Sequence, residues 1–208
     1  MTPTNIDPKA IQAHFAKYPG AKYVDGWASL RDKGDNLPWD RGFPNPALED
    51  ILVQRAAGTI GGPIIADQDG GGWRKKALVP GCGRGVDVLL FASFGYDAYG
   101  LDCSAAAVEA CREEEKEKES HSWYRVRDEK VGKGKVTFVQ GNFFDDAWLE
   151  EIGNRLPKIA LILGSSPDKL VNRWYPVSQH VLIPSVDASS CLRQNPRDGQ
   201  INLPAPAA

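Results

Sequence analysis

The chain has 208 residues, of which 42% are hydrophobic, so it can bury one core of domain size. Its formal net charge of −2 gives no electrostatic reason to expect nucleic acid or an anionic membrane as a partner. No apolar stretch approaches the roughly 18 residues that a membrane span needs, and the first residues lack the pattern of a secretory signal, so we expect a soluble, cytoplasmic protein.

The first 72 residues predict short helices separated by loops. A helix is expected over residues 7–18, and a polar loop carrying Trp27 and Trp39 follows it. Residues 46–57 predict a second helix, and the glycine-rich residues 58–72 predict a mobile connector.

From residue 76 the pattern alternates between strand and helix, which is typical of a parallel sheet with helices on its faces. Ser104 is a suitable N-cap for the longest of these helices, whose charged residues 112–119 predict a solvated face. Residues 120–135 are expected to form an exposed insertion. The strands are predicted at residues 77–80, 98–101, 136–140 and 159–163, and the helices at residues 85–94, 104–118 and 145–153.

After residue 163 the pattern fails, because no helical period is visible and prolines are frequent. We therefore expect an α/β fold with a doubly wound sheet whose C-terminal half is incomplete. The predicted division is an N-terminal segment and linker at residues 1–72, an α/β core at 73–163, and an irregular, disordered tail at 164–208.

The stretch LVPGCGRGVDV, at residues 78–88, carries the chemistry. An apolar strand that enters a Gly-x-Gly-x-Gly turn, with Asp102 ending the next strand, is the arrangement that holds an adenosine-type cofactor. The alternative is a glycine turn that only allows strand and helix to pack closely. Because Ser104 can cap the following helix, we expect Asp102 to be available to ribose hydroxyls and its removal to disturb folding little.

A dinucleotide-binding turn of the pattern Gly-x-Gly-x-x-Gly would have its third glycine at position 86, where this chain has Val86. The turn therefore favours S-adenosylmethionine over NAD. NAD-dependent oxidoreduction remains a further hypothesis. The cysteines and histidines lack zinc-ligand spacing, so no metal site is predicted. Cys82 can be interpreted as a reactive thiol or as a small residue in a tight loop, and we assign it no chemistry.

Three segments resemble the thiopurine/thiol methyltransferase family, and most closely its fungal and plant thiol and halide methyltransferase branch. They are GDNLPWDRGFPNPALEDIL, ALVPGCGRGVDVLLFASFGYDAYGLDCSAAAVEA and VTFVQGNFF. The resemblance covers about residues 20–153. It implies the Rossmann-like fold of class I methyltransferases and transfer of a methyl group from S-adenosyl-L-methionine to a small thiol or halide.

The resemblance also implies the roles of individual residues in cofactor binding. Trp27 and Trp39 would close over the cofactor, Gly81 and Gly83 would meet it in the turn, and Asp102 would hold the ribose. Asn142 and Phe143 would flank the adenine. The sequence departs from the family pattern at Arg31, where the family usually has tryptophan, and at Asn142, where it usually has aspartate.

The family's acceptor-binding segments after the third strand have no counterpart here, so no catalytic residue is named. We interpret the chain as a truncated product, with a methyltransferase and a catalytically inactive cofactor-binding remnant as the two main hypotheses. A monomer with a small-molecule thiol or halide partner is expected.

Overall fold

The structure, a computed structural model, describes residues 8–32, 40, 42–54, 61–66, 71–143, 145, 147–152, 159–164 and 181–184. Helix α1 (Pro8–Phe15) and helix α2 (Tyr23–Asp32) form a hairpin around a 3₁₀ turn, Gly20–Lys22. The ring of His14 is buried and donates from Nε2 to the carbonyl oxygen of Gly26 at 2.9 Å. A Cβ at Gly26 would lie 3.0 Å from the ring of Phe15, so glycine allows the two helices to meet closely.

The prediction of a loop around Trp27 is wrong, because this residue lies within α2. Helix α3 (Pro46–Val53) confirms the start of the second predicted helix. The side chain of Asn45 caps it by accepting a hydrogen bond from the Ala47 amide at 3.0 Å. Leu48 and Leu52 on its inner face are fully buried.

Part of the expected connector forms an antiparallel hairpin of strands β1 (Ile64–Ala66) and β2 (Gly72–Arg74). The Arg74 guanidinium fastens the hairpin to two turns by donating to the carbonyl oxygens of Gly95 at 2.8 Å, of Gly132 at 3.3 Å and of Val131. The expected connector thus includes ordered strands, and the boundary predicted after residue 72 falls inside β2.

The main sheet has five parallel strands in the order β5-β4-β3-β6-β7. Helices α4 (Val86–Ser93), α5 (Ala105–Glu117) and α6 (Ala147–Glu151) pack against it. This order begins in the middle and reverses direction, as in Rossmann-like folds, and confirms the predicted doubly wound α/β class. Its strands are β3 (Lys76–Pro80), β4 (Asp97–Asp102), β5 (Val136–Gln140), β6 (Ile159–Gly164) and β7 (Val181–Pro184).

Alternating residues of the central strand supply two cores. Ala77 and Val79 of β3 face a cluster that includes α3 and α4, whereas Leu78 faces a second cluster with Trp148 of α6. A strand buried on both faces reads as a continuous apolar run, which is why β3 was predictable from the letters ALVP.

The predicted insertion is partly integrated into the domain. A 3₁₀ turn, Ser122–Tyr124, buries the ring of Tyr124. A Cβ at Gly134 would lie 1.8 Å from the carbonyl oxygen of Tyr96, so only glycine fits where the chain enters β5. The expectation of an exposed segment therefore fails at both of these positions.

The structure differs from the expected tail at one place, since β7 extends the sheet beyond β6. The remaining residues of that tail, 165–180 and 185–208, lie outside the described part of the chain. Among the helices that the structure describes, none has the length and apolar character needed to span a membrane.

Candidate functional site

Three strands of the sheet end side by side at the candidate site. Strand β3 runs into the glycine turn, β4 ends on Asp102, and β5 ends before Gly141 and Asn142. Ligands of doubly wound sheets bind at the carboxyl edge, beside the strand where the order reverses. That strand is β3, so the fold places the glycine turn where a ligand is expected.

The glycine turn depends on backbone angles that favour glycine. Gly81, Gly83 and Gly85 have φ values of 63°, 58° and 79°, all in the left-handed region. The Cys82 amide donates to the carbonyl oxygen of Leu101 at 3.1 Å, which ties the turn to the end of β4. The turn is therefore fixed relative to its neighbouring strand.

The Asp102 carboxylate joins the glycine turn to the start of α5. Its Oδ2 accepts from the Gly83 amide at 2.9 Å and its Oδ1 accepts from the Ser104 amide at 3.0 Å. Ser104 also caps α5 as predicted, with its hydroxyl accepting from the Ala107 amide at 3.2 Å. The expectation that Asp102 matters little for folding is therefore wrong, because its carboxylate bonds two backbone amides.

Gly81 and Gly85 have different surroundings. A Cβ at Gly81 would meet no atom of the described residues within 4 Å, whereas one at Gly85 would lie 2.9 Å from both the Cys111 sulfur and the Phe138 ring. Gly85 therefore permits close packing of the turn, as the alternative interpretation expected. Gly81 instead borders open space and leaves room for a ligand.

Asn142 and Phe143 follow the adjoining strand. The Gly141 amide donates to the backbone carbonyl of Asp102 at 2.9 Å, which brings this segment to the same edge. Asn142 is partly exposed, but Phe143 is 8% exposed and packs with Leu78 and Trp148 in the second core. Packing accounts for Phe143, and its contact with an adenine stays a prediction.

The N-terminal hairpin lies beside the same edge. Helix α2 packs against α5, which begins just after Asp102. Burial first, then the charge of Asp102 and more weakly that of Asp25 on α2, raise the pKa of Cys103 to about 11. The ring centroid of the half-buried Trp27 lies 4.7 Å from that of Phe15 on α1, with the two rings tilted by 56°. Trp39 lies outside the described residues.

Sequence reasoning missed a cluster of charged side chains around Arg84 of the glycine turn. Nε of Arg84 lies 3.3 Å from Oδ2 of Asp40, and its Nη1 lies 4.0 Å from Oε2 of the buried Glu114. The Asn45 amide donates to the Asp87 carboxylate at 2.7 Å. The available signal was the long, positively charged side chain of Arg84 between two glycines, but its acidic partners are distant in the sequence.

A surface groove of about 530 Å³ lies along α5, lined by residues including Ala105, Arg112 and Gln140. Its lining does not include the glycine turn or Asp102, so we do not assign it to the candidate site. Among the described residues, no group of three or more His, Cys, Asp or Glu side chains is arranged to hold a metal ion.

The thiols at this edge are expected to react slowly in the folded protein. A hydrogen bond between the Cys82 and Cys111 thiols, together with burial, raises the pKa of Cys82, and the pKa of Cys103 rises from 9.0 to about 11. Since the thiolate is the reactive form, Cys103 should be alkylated by iodoacetamide at pH 8 on the order of a hundredfold more slowly than in the urea-unfolded chain.

Peptide mass mapping after timed alkylation measures each cysteine separately. Equal rates in the folded and unfolded chain would contradict the raised pKa values. Because the folded pKa of Cys103 exceeds its unfolded value, its contribution to stability is present below pH 9.0 and is lost as the pH rises through about 11.

Comparison with known proteins finds similarity over part of the chain. Residues 68–154 match the family model described as thiopurine S-methyltransferase. The chain is 34% identical over 84 residues to "Probable thiol methyltransferase 2" of Arabidopsis thaliana, covering 40% of this chain and 30% of that protein. It is 33% identical over 109 residues to "Thiocyanate methyltransferase 1" of Brassica oleracea, covering 52% and 40%. The chain thus spans well under half the length of these relatives.

Two solved structures are similar to the chain at low sequence identity. The structure of magnesium protoporphyrin IX methyltransferase from Synechocystis PCC 6803, with bound SAH, is 16% identical with a TM-score of 0.34, covering 76% of this chain and 57% of that one. A structure described as "Conversion of a Disulfide Bond into a Thioacetal Group during Echinomycin Biosynthesis" is 22% identical with a TM-score of 0.43, covering 67% and 45%.

Proposed function

We propose that this chain is a member of the thiopurine S-methyltransferase family that binds S-adenosylmethionine and transfers its methyl group to a small thiol or halide. The observation that carries the proposal is the convergence of Gly81, Gly83 and Asp102 at the edge where the strand order reverses. All three residues lie inside the segment that matches the family model.

The chain's own residues fit such a cofactor. The open space beside Gly81 would accept its amino-acid portion. Each Asp102 oxygen accepts one hydrogen bond from a backbone amide among the described residues, and a carboxylate oxygen can accept more than one, which leaves capacity for a ribose hydroxyl. Asn142 stands at the same edge and would border the adenine. These observations support cofactor binding by Gly81, Gly83, Asp102 and Asn142.

The aromatic residues complete the proposed site. Trp27 and Trp39 would cover the cofactor, because aromatic faces attract cations and stack on purines. The packing of α2 against α5 supports this for Trp27, since it brings the helix to the correct edge. Phe143 would border the adenine from within the second core, with most of its ring already buried.

When bound, the cofactor would supply a methyl group on a sulfonium: a soft anion would bond to the methyl carbon as the carbon–sulfur bond breaks, and S-adenosylhomocysteine would leave as a neutral thioether. The protein then contributes mainly alignment of the two reactants, so no acid or base residue is required for a thiolate or halide. The described residues supply the donor side of this alignment. The acceptor side is not assigned to any of them.

A second candidate function is cofactor binding without turnover. It is favoured by the coverage of the family match, which ends at residue 154 and includes none of the described strand residues in β6 and β7. Under this hypothesis the glycine turn and Asp102 keep their roles, and no methylated product forms.

Binding and turnover separate the two candidates. We expect S-adenosylhomocysteine, but not NADH, to raise the melting temperature of the protein and to bind in calorimetric titration. Headspace chromatography would then measure methylated product from bisulfide, thiocyanate or iodide. Product formation supports the methyltransferase, whereas binding without product supports the second candidate. Stabilisation by NADH alone would contradict both.

A further inference from the structure

Arg84 connects two carboxylates that come from different parts of the chain. Its side chain is 43% exposed, that of Asp40 is 13% exposed, and that of Glu114 is 3% exposed. Nε of Arg84 lies 3.3 Å from Asp40 Oδ2, and Nη1 lies 4.0 Å from Glu114 Oε2. The arginine therefore bridges the segment that precedes α3 and the middle of α5.

The Glu114 end of this bridge is firmly held. Its Oε1 receives the ammonium of Lys118 at 2.8 Å and the hydroxyl of Tyr124 at 3.2 Å. These two contacts hold the buried carboxylate from residues other than Arg84. Glu114 can thus act as a fixed support for the guanidinium.

The Asp40 end belongs to the segment that precedes α3. Oδ1 of Asp40 accepts from the Gly42 amide at 3.2 Å, which forms a local turn. Three residues later, the Asn45 amide donates to Asp87 in the first turn of α4. Asp40 is therefore connected to the glycine turn by Arg84, and Asn45 is connected to α4 by Asp87.

We propose that Arg84 is a positioning residue: its side chain holds the Asp40 segment against the glycine turn and thereby sets the affinity for the cofactor. The inference rests on the proposed function. The Arg84 backbone lies between Gly83, whose amide donates to Asp102, and Gly85. The contacts of the Arg84 side chain therefore help to fix the turn that is proposed to bind the cofactor.

Arginine suits this role better than lysine. Its planar guanidinium presents separate N–H groups, so Nε can face Asp40 while Nη1 faces Glu114. A lysine ammonium is a single point charge and would have to favour one carboxylate. Arg84→Lys should consequently retain part of the contribution of this side chain to cofactor affinity, and Arg84→Met should retain none of it.

The test combines four variants with one control. Arg84→Met, Arg84→Lys, Asp40→Asn and the double variant Asp40→Asn/Arg84→Met are compared with Arg112→Met. Arg112 is a matched control because it is an exposed arginine paired with Glu109 at 3.2 Å on the outer face of α5. Two readouts are measured, the Kd for S-adenosylhomocysteine by calorimetry and the hydrogen exchange of residues 42–54.

We expect Arg84→Met and Asp40→Asn each to weaken binding by roughly two- to fivefold, as for partly exposed ion pairs, and the double variant to be no weaker than the worse single variant. Exchange over residues 42–54 should be faster in both single variants. Arg84→Lys should recover part of the affinity, and Arg112→Met should match the parent.

Independent, multiplicative effects of the two substitutions would overturn the inference, as would a lower melting temperature in Arg84→Met with an unchanged Kd. The latter pattern indicates a purely structural role. If the parent protein binds no S-adenosylhomocysteine, the proposed function fails and the inference fails with it. If the parent binds and Arg84→Met binds equally well, the inference fails alone.

Discussion

Replacing Asp102 with alanine is expected to weaken binding of S-adenosylhomocysteine by at least about tenfold and to destabilise the folded protein. Charge-assisted hydrogen bonds contribute about 1.5–3 kcal/mol each, so loss of the contacts to ribose hydroxyls should exceed one decade in affinity. The same substitution leaves the Gly83 and Ser104 amides without their present acceptor. That loss should lower the free energy of unfolding by about 1–3 kcal/mol.

Asp97→Ala provides the control for this experiment. Asp97 begins the same strand, and its Oδ1 accepts from the Lys135 amide at 2.9 Å, so the substitution also removes a carboxylate that bonds the backbone. It lies at the opposite end of β4 from the candidate site. Asp97→Ala should therefore lose stability and keep its affinity, with urea unfolding and calorimetric titration as the two measurements.

Equal affinity in Asp102→Ala and the parent would mean that the carboxylate is structural and that any ribose site lies elsewhere. Matching losses of affinity in the two alanine variants would mean that the effect follows general destabilisation. Both measurements use the whole 208-residue chain at a temperature where the parent, Asp97→Ala and Asp102→Ala are all more than nine-tenths folded.

The central part of the fold was predictable because its signals are local. Strand β3 is an apolar run, the glycines of the turn need left-handed angles, and Ser104 caps α5 with its own hydroxyl. Each of these features depends on residues within a few positions of one another. The position of Asp102 beside the glycine turn was also predictable, because neighbouring parallel strands end at the same edge of the sheet.

The features that sequence reasoning missed depend on distant contacts. Helix α2 has little helical pattern in YVDGWASLRD, and it forms where Gly26 allows α1 to approach and where α5 supports it. Strand β7 has only four residues between polar stretches, and its pairing with β6 has no signal of its own in the sequence.

The charges around Arg84 illustrate the same limit within the site. A cation between Gly83 and Gly85 predicts some partner, but the sequence holds many acidic residues and no period that selects Asp40 or Glu114. For a related reason the sequence predicted a ligand-binding role for Asp102 and missed its structural role. Its bond to the Gly83 amide appears only once the turn has folded against β4.

The two outer glycines of the turn should separate stability from binding. Both have left-handed φ values, so alanine at either position costs about 1–2 kcal/mol in backbone strain. At Gly85 the added Cβ would also press on Cys111 and Phe138 at 2.9 Å, and overpacking costs about 1–3 kcal/mol more. Gly85→Ala should thus lower the free energy of unfolding by about 2–5 kcal/mol.

Gly81→Ala should lower the free energy of unfolding by the strain energy alone, because its Cβ would meet no atom of the described residues within 4 Å. That Cβ would instead occupy space proposed for the cofactor, so affinity for S-adenosylhomocysteine should fall by roughly tenfold, the equivalent of about 1.4 kcal/mol. Urea unfolding and calorimetric titration of the same two variants test both statements. Unchanged affinity in Gly81→Ala, beside measurable binding by the parent, would show that the open face of the turn does not meet the cofactor and that its glycine serves the backbone alone.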